Sequence, residues 1–148
     1  MLVRTMMWVA AALFAASWFL PATDAVLGWE AFRYALSPLV PFRQLGTLGD
    51  HAIPAVLSAL TNPMFLLLFA LWLTRQMFRP GLFVRIAIAC FLLDLYWLVH
   101  AWRDGDLASL RIGYFLWLGA FALLLAPAIV SAFEARRTSR TPTADTPP

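Results

Sequence analysis

Residues 82–102, LFVRIAIACFLLDLYWLVHAW, form one apolar run, and Asp94 stands near its middle. About 20 helical residues at ~1.5 Å each cover the ~30 Å hydrocarbon layer of a bilayer, so the run is long enough to cross it. A carboxyl group at that depth costs about 3 kcal/mol or more and is kept only where neighbouring groups compensate it. The chain must therefore build a helical bundle around this run and supply partners for Asp94.

Composition agrees. Of 148 residues, 62% are hydrophobic and 13% charged, whereas a soluble domain carries roughly a quarter charged residues. One domain is expected. The basic residues are all Arg, and they stand at the ends of apolar runs. That is the pattern of membrane-flanking anchors, so the pI near 9.8 does not indicate a nucleic-acid partner. Cys90 is the single cysteine, which excludes an internal disulfide, a CxxC pair and a thiolate metal cluster within one chain. Its apolar neighbours make it a packing residue.

Four transmembrane helices are predicted: residues 5–21, 63–78, 82–102 and 110–133. The first follows Arg4 and stops at Pro21. A signal peptide cleaved after Ala22 is the competing reading, but Leu20 is bulkier than the small residue such a site takes, and a retained helix is preferred. Ala11, Ala12, Ala15 and Ala16 form small-xxx-small pairs that would let another helix come close.

The outer segment, residues 22–62, is predicted to hold short helices. Thr23 or Asp24 caps one running to about Ser37, with Val26, Trp29, Phe32 and Leu36 on one face. It is too short to span, so it lies on the membrane surface or covers the bundle as a lid. Pro38, Pro41, Gly46 and Gly49 mark an irregular link, and Asp50 caps a second short helix over 51–60. Asn62-Pro63 is read as a helix start, because Asn is a preferred N-cap and Pro a preferred first residue. Arg75 and Arg79 close that span. Residues 103–106 make a polar turn. The last span carries small residues at Gly113, Gly119, Ala122 and Ala126 and a kink at Pro127. Residues 134–148 are predicted to be a disordered tail.

Orientation follows from Arg alone. With the N-terminus inside, Arg4, Arg75, Arg79, Arg85, Arg136, Arg137 and Arg140 are cytoplasmic, while Arg33, Arg43, Arg103 and Arg111 are outside. Both termini are therefore predicted to be cytoplasmic, in a bacterial inner membrane.

On this scheme Asp94 lies about 18 Å into its helix, slightly beyond the midplane toward the outside. His100 is roughly 120° away around the axis and does not touch it, whereas Tyr96 and His100 share a face. Ser17, Asn62, Tyr114 and Arg111 fall in the same outer half, with Arg111 able to reach down toward Asp94. Three readings stand open for this set: hydrogen bonds that fix helix packing, a proton or cation site in a small transporter or channel, and recognition of another membrane protein. An enzyme is not expected, since HExxH, GxSxG, P-loop and nucleotide motifs are lacking. Two isolated histidines, His51 and His100, do not by themselves make a haem or metal site, and no cofactor is expected.

The stretches NPMFLLLFAL, WLTRQMF and GYFLWLGAFALLL resemble small uncharacterised bacterial four-helix membrane proteins, which share an Asn-Pro-led apolar helix and a Gly-Tyr-x-Leu-Trp-Leu opening to the last helix. The resemblance covers the second half of the chain and implies topology only. The expected fold is thus all-α and polytopic. The expected role is a non-catalytic accessory protein that meets the bilayer and either a second copy of itself or another membrane protein. A small transporter using Asp94 is the alternative.

Overall fold

Apolar residues recurring three and four apart wind the long runs into helices that pack side by side. The computed structural model describes residues 2–40, 51–74 and 80–138. Its helices are α1 (Leu2–Phe19), α2 (Gly28–Ala35), α3 (Ala52–Leu73), α4 (Pro80–Arg103) and α5 (Ile112–Thr138), with a 3-10 turn at Leu107–Ser109. Among the described residues there is no strand. Two helices, α3 and the Gly81–Arg103 part of α4, are long and apolar enough to cross a membrane.

α1 packs along α5, α5 along α4 and α4 along α3, while short α2 bridges α3 and α1. Side-chain pairs fix the directions. Trp8 meets Phe69 and Phe14 stacks on Phe65, so α1 and α3 run antiparallel. Ser58 reaches Asp94 and His51 touches His100, so α3 and α4 do too. Gly113 meets Pro21 and Phe121 meets Phe14, so α5 runs antiparallel to α1 and hence to α4. The result is an up-down-up-down bundle with α2 across one end. Its core is apolar and aromatic, formed by Met7, Ala10 and Phe14 of α1, Phe65 and Leu68 of α3, Phe83 and Ala87 of α4, and Phe121 and Leu124 of α5. Phe65 lies between the Phe14 ring, stacked at 4.2 Å, and the Phe121 ring, met edge-on at 5.2 Å.

The α2 end is held largely by backbone hydrogen bonds. The N–H groups of Arg111 and Gly113 donate to the carbonyls of Ala22 (3.0 Å) and Pro21 (2.8 Å), and that of Gly28 donates to the carbonyl of Leu20 (3.0 Å). These bonds clasp residues 20–28 between the end of α1 and the start of α5. Such an approach leaves no room for side chains at the contact. A Cβ on Gly113 would lie 2.6 Å from the Pro21 carbonyl oxygen, and one on Gly28 would overlap the Ser17 carbonyl oxygen.

Several sequence expectations are corrected. Asn62-Pro63 does not start a helix. It lies inside α3, which runs unbroken from Ala52 to Leu73 and joins the short helix expected over 51–60 to the span expected over 63–78. The helix expected from Thr23 or Asp24 to Ser37 is the shorter α2. Thr23 Oγ1 instead accepts the Ala25 N–H at 3.3 Å and Asp24 pairs with Arg111, so Glu30 does the capping by accepting the Leu27 N–H at 3.0 Å. Of the two placements open for this helix, α2 takes the lid position, with Phe32 against Trp18. Among the alanines of α1 the buried one is Ala10, while Ala11 and Ala16 are half-buried and Ala12 and Ala15 exposed. Of the two glycines of α5, Gly113 is the one against which another backbone closes, since a Cβ at Gly119 would meet just Leu13 at 4.0 Å. Helix α5 continues to Thr138, through the start of the expected tail. The link over 41–50 with its Asp50 cap, the Arg75–Arg79 closure and the tail from 139 lie outside the described residues.

α4 ends in a Schellman turn. Gly105 adopts φ 74°, and the N–H groups of Gly105 and Asp106 donate to the carbonyls of Trp102 (3.3 Å) and Ala101 (2.8 Å). An L side chain in that conformation costs about 1–2 kcal/mol. Gly105→Ala is therefore expected to lower unfolding stability in detergent by about 1 kcal/mol, even though nothing within 4 Å would touch the added methyl.

Candidate functional site

Buried polar side chains are concentrated in one layer toward the α2 end: Ser17 of α1, Ser58, Thr61 and Asn62 of α3, and Asp94 of α4. Each is placed by helical spacing. Ser58, Thr61 and Asn62 lie three and four apart, continuing the buried face that begins at Ala55 and proceeds to Phe65. Asp94 follows Ala87 and Cys90 on the buried face of α4.

Asp94 has no exposed surface. Its Oδ1 accepts from the Thr61 hydroxyl at 3.0 Å and from the Ser58 hydroxyl at 3.3 Å. Its backbone carbonyl accepts from the Tyr114 hydroxyl at 2.8 Å. One residue of α4 is thereby tied to two helices. The hydrogen inventory is tight. Thr61 Oγ1 also lies 2.6 Å from the Ser58 carbonyl, and a hydroxyl has a single hydrogen, so it cannot serve both acceptors at once. Oδ2 has no hydrogen-bond partner among the described residues.

A second node surrounds Asn62. Pro63 lacks an N–H, so the Ala59 carbonyl loses its usual i+4 donor. Asn62 Nδ2 donates to that carbonyl at 3.1 Å, and its Oδ1 accepts the Trp117 indole N–H at 3.1 Å. One amide thus repairs the helix around the proline and joins α3 to α5.

The structure brings together only part of the set expected from sequence. Tyr114 reaches Asp94, but at its backbone carbonyl. Ser17 does not reach Asp94; its hydroxyl donates to the Phe14 carbonyl at 2.7 Å within α1. Arg111 does not reach down. Its guanidinium pairs with Asp24 near the surface, where both side chains are more than half exposed and the pair is worth little. Tyr96 and His100 stack at 5.8 Å. They belong to a separate cluster, in which His51 Nδ1 is 3.2 Å from the Tyr96 hydroxyl and His100 Nε2 is 3.2 Å from Asp104. The His51 and His100 rings are 4.4 Å apart, in direct contact, so no macrocycle fits between them. Sequence reasoning missed Ser58 and Thr61, the two side chains that hold the carboxylate. The signal for Ser58 was the run of small and polar residues at i, i+3, i+4 and i+7 from Ala55, and Thr61 lies three residues beyond Ser58 on the same face.

Above the polar layer is a cavity of about 410 Å³. α2 covers it with Gly28, Ala31, Phe32 and Ala35, the ends of α1 and α5 form its sides, and Ser58 and Asn62 are among the residues beneath. Asp94 is one hydrogen bond below this lining, through Ser58.

No protein-family model, curated protein or solved structure matches the chain. What the arrangement can do chemically must therefore be read from the side chains. They form a fixed hydrogen-bonded layer, closed on the far side by Phe65, Leu68, Phe121 and Leu124. No group of three or more His, Cys, Asp or Glu converges among the described residues.

Proposed function

We propose that the chain is a bacterial inner-membrane protein of four spans, both termini cytoplasmic, with a non-catalytic accessory role exercised by assembly with itself or with another membrane protein. α1 and α5 are the two further spans. They pack along each other, α5 also along α4, and each presents large apolar side chains outward, such as Trp8 and Val9 on α1 and Phe115, Ile129 and Val130 on α5. Surface of that kind is suited to lipid or to a packed partner helix. The count of Arg near the helix ends supports the orientation.

The observation that carries the non-catalytic reading is the way Asp94 is used. Its Oδ1 and its carbonyl are occupied by side chains of α3 and α5, and the buried described residues beyond it are apolar, except for the Cys90 thiol. A carboxyl so held joins helices. The transporter reading retains one supporting observation, the unpartnered Oδ2.

Asp94→Asn distinguishes the two. The packing role predicts no proton or ion flux in proteoliposomes for either protein, and a loss of about 1–2 kcal/mol for the variant, because an amide places a hydrogen-bearing nitrogen in a layer with no acceptor set aside for it. Flux that the substitution abolishes would replace this reading with the transporter. Unchanged detergent stability and oligomer size would remove its main support.

A further inference from the structure

We propose that the cavity beneath α2 binds a neutral lipid alcohol of the monoacylglycerol type, with its glycerol headgroup on the polar layer and its acyl chain leaving between α1 and α3. The proposal rests on the membrane reading in one respect, that the outer side of this seam faces acyl chains.

Charge is the first constraint. No charged side chain lines the cavity; its walls are aromatic and small, with Trp18, Trp97 and Trp117 the largest members. A charged headgroup would be left unpaired in such surroundings, so the occupant is uncharged. At about 410 Å³ the cavity falls in the ~300–1,000 Å³ range of small-molecule sites.

Hydrogen-bond polarity is the second constraint, and it is more selective. Three lining hydroxyls have already given their hydrogens to the protein: Ser17 to the Phe14 carbonyl, Ser58 to Asp94 Oδ1 and Tyr114 to the Asp94 carbonyl. All three residues are more than nine-tenths buried. Each hydroxyl oxygen can still accept, so the cavity calls for a ligand that donates. Asn62 adds one donor, the second hydrogen of the amide whose first goes to the Ala59 carbonyl, and Thr23, whose oxygen accepts the Ala25 N–H, adds its hydroxyl hydrogen as another. Several acceptors and two donors complement two ligand hydroxyls and the oxygens of an ester. A quinone, which only accepts, would leave the three hydroxyl oxygens without donors, and a fatty acid brings a charge.

Access is the third. Neighbouring α1 and α3 meet through ring pairs, Phe14 on Phe65 and Trp8 on Phe69, rather than by close backbone contact. At the α2 end that ring seal gives way to the cavity, and α2 bridges the two helices above it. A chain lying in the seam would connect the cavity to the apolar surroundings without unfolding the lid.

The test uses the full-length protein in detergent micelles with a monoacylglycerol that carries a photoactivatable diazirine near the ester. Mass spectrometry of the cross-linked peptides is expected to place saturable labelling on residues 17–35 and 97–117. Excess unlabelled monoacylglycerol should remove at least nine-tenths of it, while an equal concentration of fatty acid should remove little. Ala31→Phe, which fills the cavity from the lid, should lower labelling about tenfold at an unchanged thermal midpoint; if that variant does not fold, Ala35→Leu serves the same purpose. Labelling spread without saturation along the outward helix faces, equal competition by fatty acid, or full labelling of the filled variants would each overturn the proposal. Alkaline carbonate extraction of cell membranes tests the membrane reading separately. A chain that stays with the membrane but is not labelled at the cavity defeats this inference alone.

Discussion

Gly113→Ala is expected to destabilise the protein by about 3 kcal/mol, whereas Gly119→Ala, six residues along the same helix, should leave it unchanged or stabilise it by up to about 1 kcal/mol. The contrast comes from what each methyl would meet. At Gly113 a Cβ would be 2.6 Å from the Pro21 carbonyl oxygen and 2.7 Å from that of Leu20, both backbone atoms with no side-chain rotation to relieve the overlap. Relief requires separating α5 from residues 20–22. That lengthens the Gly113 to Pro21 and Arg111 to Ala22 hydrogen bonds together and loosens the clasp at the α2 end. At Gly119 the only neighbour is a Leu13 methyl at 4.0 Å, an ordinary contact, and alanine is the better helix former. Gly28→Ala should behave like Gly113→Ala with a narrower consequence. Its Cβ would overlap the Ser17 carbonyl oxygen, so α2 is displaced while the four long helices remain packed. Denaturation in mixed micelles titrated with SDS would measure the first pair. Protease cleavage within residues 28–35 would report the displaced lid. Equal effects at 113 and 119 would refute the clasp as a stabilising element.

This clasp also marks where sequence reading stops. The helical class was legible, because long apolar runs with few charges leave the backbone little alternative but to satisfy its hydrogen bonds within each run. The positions of α4 and of the start of α5 were close to expectation for the same reason, and so was the burial of Asp94. Its partners were not legible. Arg111 and Ser17 stood at suitable depths, but Arg111 precedes α5 and pairs with Asp24 of the facing loop, while depth along α1 did not give the rotamer that turns Ser17 to its own backbone. Ser58 and Thr61 were hidden by an error of segmentation. With a boundary placed at Asn62, Ser58 fell on a separate short outer helix and Thr61 just after it, instead of both on the buried face of α3. Gly28 and Gly113 carry no local signal that sets them apart from Gly119, since the need for a missing side chain is created by the distant residues 17–21.

Replacing Pro63 with alanine should stabilise the protein by about 2 kcal/mol and should halve the cost of losing Asn62. Proline within a helix costs about 3 kcal/mol relative to alanine, through the missing N–H and the crowded i−4 carbonyl. Here the Asn62 amide returns part of that by donating to the Ala59 carbonyl. The Pro63 ring is exposed, so its removal forfeits little packing. In the natural sequence Asn62→Leu breaks two buried hydrogen bonds, leaving the Ala59 carbonyl and the Trp117 indole without their partner, and should cost about 2–3 kcal/mol. In the Pro63→Ala background the backbone N–H gained at position 63 serves the Ala59 carbonyl, so only the Trp117 bond is lost and Asn62→Leu should cost about 1 kcal/mol. The coupling between positions 62 and 63 is then about 1–2 kcal/mol, within the range measured for residues that share a partner. Trp117→Phe supplies the third side of the test. It removes the indole donor only, so its cost should fall sharply once Asn62 is gone but should not depend on Pro63. Additivity of the 62 and 63 substitutions would mean that the amide is not repairing the helix. The Asn-Pro pair would then owe its place to something other than the backbone gap that proline opens in α3.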